Sequence, residues 1–367
     1  MFKIKILSFL TSIFLFSSCT NKHGGYSYAI KDFRKSLQPY LLKIVSRGVV
    51  MYYDSSLRNM ATDKELIELS QSEHPVLRAS AFREMLHRKS FNHFDILMNH
   101  LDDTADVATD AGEFGIWHRT VSDDIVQEAG WKTQEAKNKT IDQVLIKHNY
   151  LRSAYLILLQ IEPQEKYYPF IKDMATRPRR LSQDGYELDF DDIEFALYGL
   201  AKFRKKNDIE IIKKQLMKNV SWLSDISFRL MKEFPDTAYL DVLQTYHRRR
   251  FYRFSGEDIG GFTGNDDNRA SSKDFIEALV AQQNDKSAQI FDTILNRLPV
   301  MTCVRNKEFI EDEIVTQIWE HPNPAYEKLR NRIKSRAKEI LKGQISIPVD
   351  PYNEPIDTTK ENIRWYP

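Results

Sequence analysis

A chain of 367 residues with 53 Lys and Arg against 52 Asp and Glu has a formal charge of +1, and this balance excludes general nucleic-acid binding, which needs a cation excess to neutralise phosphates. Its two cysteines, Cys19 and Cys303, exclude a disulfide framework, so the fold must rest on a buried core. A globular chain of this length usually splits into several domains, a limit that a repeat array growing along one axis escapes.

The first element is Met1-Phe2-Lys3-Ile4-Lys5, two cations ahead of the apolar run Ile6 to Phe16, which only Ser8, Thr11 and Ser12 interrupt. This is a charged leader with an apolar stretch of secretory length. A spanning helix needs roughly 20 apolar residues, and the run ends before that at Ser17-Ser18-Cys19. Phe16-Ser17-Ser18-Cys19 resembles the signal of bacterial lipoproteins, in which a small residue precedes a cysteine that becomes the lipidated amino terminus; Phe16 stands where leucine is commonest. The resemblance implies a signal peptide over 1–18, lipidation of Cys19, a short tether over 19–27 and a place in a bacterial cell envelope. The alternative is an ordinary signal peptide cut elsewhere, with Cys19 incidental. Lipoproteins of the Bacteroidetes type that reach the cell exterior carry acidic residues after the cysteine. Thr20, Asn21 and Lys22 follow here, which points to the periplasmic face rather than the cell surface. Lipidation would leave Cys303 without a disulfide partner, and loss of Lys3 and Lys5 takes the formal charge from +1 to −1.

From residue 28 to residue 342 apolar residues recur at helical spacing, and no segment alternates convincingly as a strand. Leu77, Ala81, Phe82, Met85 and Leu86 form one stripe and Phe91, Phe94, Leu97, Met98 and Leu101 the next. The same period predicts helices around 151–161, 164–175, 192–204, 208–217, 222–234, 237–250, 273–283, 286–298, 307–320 and 324–342. Thr62 with Glu65 and Thr140 with Gln143 have capping-box spacing. Pro75, Pro163, Pro235 and Pro324 fall where helices should begin, a position at which the missing N–H costs nothing. Breaks this short predict antiparallel helical hairpins.

Aligned, the hairpins show weak self-similarity. Leu151, Ala154, Leu158 and Ile161 correspond to Ile193, Ala196, Leu200 and Phe203, and these to Ser224, Ser227, Met231 and Phe234. The offsets of 42 and 31 residues are of the size found in helical-hairpin solenoids. His74-Pro-Val-Leu-Arg-Ala-Ser-Ala-Phe-Arg-Glu-Met-Leu86 resembles the first helix of a HEAT-type repeat, with its early proline, an arginine, small residues and then large aliphatics. The resemblance implies an all-α fold, a right-handed α-solenoid-like stack of antiparallel helical hairpins over 28–342, followed by an extended Pro-rich tail over 343–367. A compact irregular helical bundle fits the same periodicity.

Three segments interrupt the pattern. Residues 102–120 carry Asp102, Asp103, Asp106 and Asp110, residues 177–190 open on Arg177, Arg179 and Arg180, and residues 255–271 hold Gly256, Gly260, Gly261 and Gly264. Long insertions of this kind are enriched in function. The acidic segment could bind a hard cation, but its spacing does not follow the alternating carboxylates that wrap a single Ca²⁺ ion, and His93 and His100 lie about 10.5 Å apart along a helix, too far to share zinc. No metal site and no cofactor are expected. Gly260-Gly-Phe-Thr-Gly264 lacks the strand and the lysine of a phosphate loop, and no catalytic motif is present elsewhere.

The basic clusters are the candidate binding residues. Arg177, Arg179 and Arg180 form one, and Arg248, Arg249, Arg250 and Arg253, interleaved with Phe251 and Tyr252, form the other. Guanidinium groups suit carboxylate or phosphate, and aromatics beside them suit sugars, peptides or anionic polymers. The competing reading is helix-end chemistry, in which these cations offset helix dipoles or pair with Asp184, Glu187, Asp189, Asp191 and Asp192. The expected function is a non-enzymatic, membrane-anchored binding or scaffold lipoprotein whose partner is a protein, peptide or anionic envelope polymer and not a nucleic acid. The alternatives are an envelope hydrolase built on His118 and Asp110 in 102–120, and an immunity or inhibitor protein.

Overall fold

The computed structural model describes residues 28–51, 56–110, 116–128, 134–177, 190–252, 267–298 and 307–341. Cys19, the tether, the tail after Gly343 and most of the 177–190 and 255–271 insertions lie outside them. The described residues are predominantly helical, with 17 α-helices and three short strands. None of these helices is long and apolar enough to cross a membrane. The chain divides into two compact units, Met1–Ala136 and Lys137–Pro367.

The first unit contains α1 (Gln38–Arg47), β1 (Val49–Met51), α2 (Ser56–Met60), α3 (Asp63–Leu69), α4 (Pro75–His87), α5 (His93–His100), β2 (Asp106–Asp110), β3 (Ile116–Thr120) and α6 (Val121–Glu128). Gly48 ends α1 in the left-handed region at φ 69°, where its N–H reaches the Val45 carbonyl and a side chain would be strained. The Thr62–Glu65 capping box forms as expected, with Thr62 Oγ1 accepting from the Glu65 N–H and the Glu65 carboxylate accepting from the Thr62 N–H. Pro75 occupies the first turn of α4.

The sheet corrects the expectation that no strand exists. β1 pairs parallel with β2, and β2 pairs antiparallel with β3 from Asp106↔Thr120 to Asp110↔Ile116. The acidic insertion is therefore a hairpin. Its strands are five residues each, too short to establish a period, and their carboxylates hide the inward positions Val107 and Thr109. Around it α4 is the central helix. Val76, Leu77, Ala79, Ala81, Phe82, Arg83, Glu84, Met85 and Leu86 are all buried, and α4 packs on α1, α2, α3, α5, α6, β1 and β2. The most HEAT-like stretch is thus enclosed on all sides rather than amphipathic.

Arg78 and Arg83 of α4 and Arg88, which caps its carboxyl end, tie it to the rest of the unit. Arg78 makes a bidentate pair with Asp103 at 2.7 and 3.0 Å, Arg88 meets Asp63 at 2.5 Å, and Arg83 donates to both oxygens of Asp124 at 2.9 and 2.7 Å. The Asp124 carboxylate is wholly buried; Arg119 of β3 lies 3.7 Å from it and Thr109 of β2 donates to it at 3.4 Å.

The second unit begins within α7 (Gln134–Lys147) and continues through α8 (Arg152–Ile157), α9 (Tyr168–Thr176), α10 (Phe190–Ala201), α11 (Lys206–Lys218), α12 (Asp225–Glu233), α13 (Leu240–Tyr252), α14 (Asp267–Val280), α15 (Asp285–Arg297), α16 (Lys307–Glu320) and α17 (Glu327–Leu341). Every helix predicted from residue 151 onward is found, with shifted ends. Thr140 lies inside α7, so its spacing to Gln143 caps nothing. Pro163 and Pro235 sit in connections rather than at helix starts; Pro169 takes the first turn of α9, and Pro324 opens a short 3₁₀ turn before α17.

Alternate helices pack in two series. α8, α10, α12, α14 and α16 each contact the next, and α9, α11, α13 and α15 do likewise. Leu158, Leu200 and Met231, aligned by sequence, are buried in the first series. Gly199 permits close approach there, because a Cβ on it would lie 3.2 Å from that of Leu158. The connections alternate in type. Pro163-Gln-Glu-Lys-Tyr167, Pro235-Asp-Thr-Ala-Tyr239 and Pro322-Asn-Pro-Ala-Tyr326 precede α9, α13 and α17, and all three tyrosines are buried. The connections into α11 and α15 instead pass through the left-handed residues Arg204 and Gln283. Their neighbours Lys202 and Gln282 reach the carboxyl ends of α8 and α12, with Lys202 Nζ donating to the carbonyls of Leu158, Leu159 and Ile161 and Gln282 Nε2 to that of Met231. These side chains satisfy acceptors that a helix end leaves open.

Candidate functional site

Of the first arginine cluster, only Arg177 is described. Its backbone N–H caps α9 on the Asp173 carbonyl at 2.8 Å, its Nε donates to Asp173 Oδ2 at 3.2 Å, and its guanidinium donates to the Asn149 carbonyl at 3.3 Å and to Asn149 Oδ1 at 2.7 Å. That is helix-end chemistry. Asp192, expected as a partner for this cluster, is held by Arg152 at 3.2 Å. Arg179, Arg180 and Arg253, with Asp184, Glu187 and Asp189, lie outside the described residues, as do the side chains of Asp191, Arg250, Phe251 and Tyr252.

The second cluster gathers a site. Arg248 and Arg249 are exposed in the last turns of α13. Arg249 Nη1 donates to Ser221 Oγ at 3.3 Å, which holds the guanidinium beside the α11–α12 connection. The next residue, Trp222, is 64% exposed. Under this edge His247 is buried, with its ring stacked on Phe275 at 6.3 Å. Burial, and then the charges of Arg297 and Arg248, push the His247 pKa down to about 4, so the imidazole is neutral at pH 7. Arg297 is exposed at the end of α15 and Lys218 at the end of α11.

No known family, curated protein or solved structure matches this chain.

Because α11, α13 and α15 pack in series, cations accumulate where their carboxyl ends meet. Each end carries about half a negative charge, which these cations face. The edge can offer planar donors to carboxylate or phosphate oxygens, and an indole to an apolar or sugar face.

Other charges of the unit are committed to packing. Asp208 accepts from Tyr168 Oη and from Lys172, each at 3.0 Å, across α9 and α11. Asp241 of α13 accepts from Lys213 of α11 at 2.6 Å and Lys286 of α15 at 2.7 Å, and these two hydrogen bonds draw its pKa down to about 2. Arg332 of α17 pairs with Asp292 of α15.

The hairpin of the first unit places His118 Nδ1 3.2 Å from Asp106 Oδ2, with both side chains more than half exposed. Asp110, named with His118 from the sequence, pairs through its backbone with Ile116. His93 lies against the Arg88 carbonyl and His100 against the Phe82 ring. Among the described residues no group of three His, Cys, Asp or Glu side chains could hold a metal ion.

Sequence reasoning passed over Ser221, Trp222 and Arg297. The helical period put Trp222 at the start of a helix over 222–234, whereas α12 begins at Asp225. The available signal was an indole beside Ser221 in a break between two helices.

Proposed function

We propose that this protein is a lipid-anchored, non-enzymatic binding or scaffold protein of a bacterial cell envelope, tethered through Cys19 on the periplasmic face. Its second unit, on this reading, is a right-handed, HEAT-like stack of antiparallel hairpins. The two series of packed helices and the alternating connections support that arrangement, since repeat units bury their faces only against neighbours. The partner is anionic: a protein, a peptide or an envelope polymer. One observation carries the reading, the exposed pair Arg248 and Arg249 beside the exposed Trp222.

The test combines binding and melting on the double variant Arg248→Gln/Arg249→Gln. Capture on immobilised polyglutamate or polyphosphate should weaken in the variant and should fall with salt in the wild type, while the melting temperature stays nearly constant, because exposed charges contribute little to stability. A lowered melting temperature with intact capture overturns the reading in favour of helix-end chemistry. Cys19→Ala should release the protein from the membrane fraction, and unchanged lipid labelling of that variant overturns the anchor.

A further inference from the structure

Five large hydrophobic side chains are exposed among the described residues, and two of them, Tyr40 and Leu42, lie on α1. This helix turns Leu41 and Ile44 inward. Pro39, Leu42, Lys43 and Ser46, spaced i, i+3, i+4 and i+7, therefore form its exposed face, with Tyr40 at the margin. The charge around them is nearly all of one sign. Residues 31–47 hold Lys31, Arg34, Lys35, Lys43 and Arg47 against Asp32 alone, and Asp32 folds back onto the Ala29 N–H at 2.9 Å. Arg34 is committed to Glu65, whereas Lys31, Lys35 and Lys43 are exposed. Ile67 and Ile116 have different surroundings: Ile67 shares α3 with Asp63, Glu65 and Glu68, and Ile116 lies opposite Asp110.

Position in the chain selects the occupant of this face. Tyr28 stands nine positions after Cys19, so the chain between them spans at most about 30 Å, and the 3₁₀ turn Ile30–Asp32 that follows packs on α1. We propose that the exposed face of α1 rests on the surface of the anionic phospholipid bilayer that holds the acyl chains of Cys19, which depends on the lipid anchor proposed above. Leu42 enters the headgroup layer, the Tyr40 ring settles at its level, and Lys35 and Lys43 meet lipid phosphate. The tether holds this face beside the bilayer at high effective concentration, so a contact too weak to bind by itself suffices. One leucine and part of a tyrosine offer far less surface than the roughly 800 Å² per partner of a stable dimer, which a second copy would need. An anionic polymer meets the lysines but gives Leu42 nothing apolar to enter.

The experiment reconstitutes the full lipidated chain on vesicles of phosphatidylglycerol and phosphatidylethanolamine, or of phosphatidylcholine alone, and keeps the Cys19→Ala chain free in solution. A membrane-impermeant amine-acylating reagent labels the lysines, and mass spectrometry reads the rate at each against the mean of the other exposed lysines. Lys35 and Lys43 should label roughly fivefold more slowly on the anionic vesicles than in the free chain, and high salt should remove that protection. Leu42→Gln, a change at an exposed position, should restore most of their reactivity while acylation of Cys19 and the melting temperature stay unchanged. Absence of acyl chains on the wild-type protein overturns the anchor and this face with it. A lipidated chain whose Lys35 and Lys43 react as fast on anionic vesicles as in solution overturns the face and leaves the anchor standing. Protection that survives Leu42→Gln assigns the lysines to anionic charge alone and overturns the seating of α1. Protection that appears in the free chain as its concentration rises identifies a second copy and overturns the bilayer as occupant.

Discussion

The two units differ in their most buried charge cluster. In the first, Arg83, Arg119 and Asp124 are buried together, and one carboxylate joins α4, α6, β2 and β3. In the second, the ties between packed helices, such as Asp241 with Lys213 and Lys286 or the buried Asp208 with Lys172, keep the cation partly exposed. A buried ion cluster fixes a single arrangement because any partner left alone is stranded without water. A surface tie is screened and forgiving. The first unit therefore depends on few groups that must all be present, and the second on many small contributions between neighbours.

The largest expected effect breaks the first kind of tie. Asp124→Ala leaves Arg83 and Arg119 facing each other in the interior and should cost about 3–5 kcal/mol, read as a lowered unfolding midpoint. Hydrogen exchange should rise in residues 28–128 first. An equal rise in both units would show that the two do not differ as argued. Next, Leu158→Ala or Leu200→Ala should cost about 2–5 kcal/mol through lost burial and a cavity. In a repeat the damage concentrates in the adjoining helices, so exchange that rises uniformly over residues 137–341 argues for a single cooperative bundle.

A smaller effect concerns the interior of α14. Burial, and then the charges of Asp225 and Glu277, raise the Asp274 pKa to about 6. Below the unfolded value of 3.8 both states hold the proton. Between 3.8 and 6 the folded state holds it more tightly, so stability falls as pH rises through that window and stays reduced above it. Asp274→Asn should therefore raise stability by on the order of 1–2 kcal/mol at pH 7 and change nothing below pH 4. A gain independent of pH would place the cause elsewhere. The smallest effect tests the surface ties. Asp241→Asn should cost under about 1 kcal/mol, since such pairs are screened, and the loss should shrink further in high salt. A cost of several kcal/mol would put the two units on the same footing.

Helix positions from residue 151 onward were legible because a long 3.6-residue period averages over many positions. The three strands were not, because β1 has three residues and the acids of β2 are those of an ordinary solvated loop. α4 misled for a related reason: its proline, small residues and aliphatics fit a repeat helix, but burial on every side also takes in Arg83 and Glu84, which a sequence cannot mark as internal. The Pro-x-x-x-Tyr connections recur every second hairpin, so aligning successive hairpins hides them. For the site, the arginine-rich end of α13 was visible as composition. Arg177 could be separated from Arg248 and Arg249 only by seeing that Asp173 and Asn149 hold the one while the others stay exposed.

By itself the sequence determined the predominantly helical class, the places of the helices from residue 151 onward and the buried positions at Leu158, Leu200 and Met231, because these follow from local periodicity and propensity. Tertiary structure decided the sheet, the burial of Arg83, Arg119 and Asp124, and the meeting of Arg249 with Ser221 beside Trp222. Arg83 and Asp124 lie 41 positions apart along the chain and Ser221 and Arg249 28, and no local pattern records which distant side chains packing will bring together.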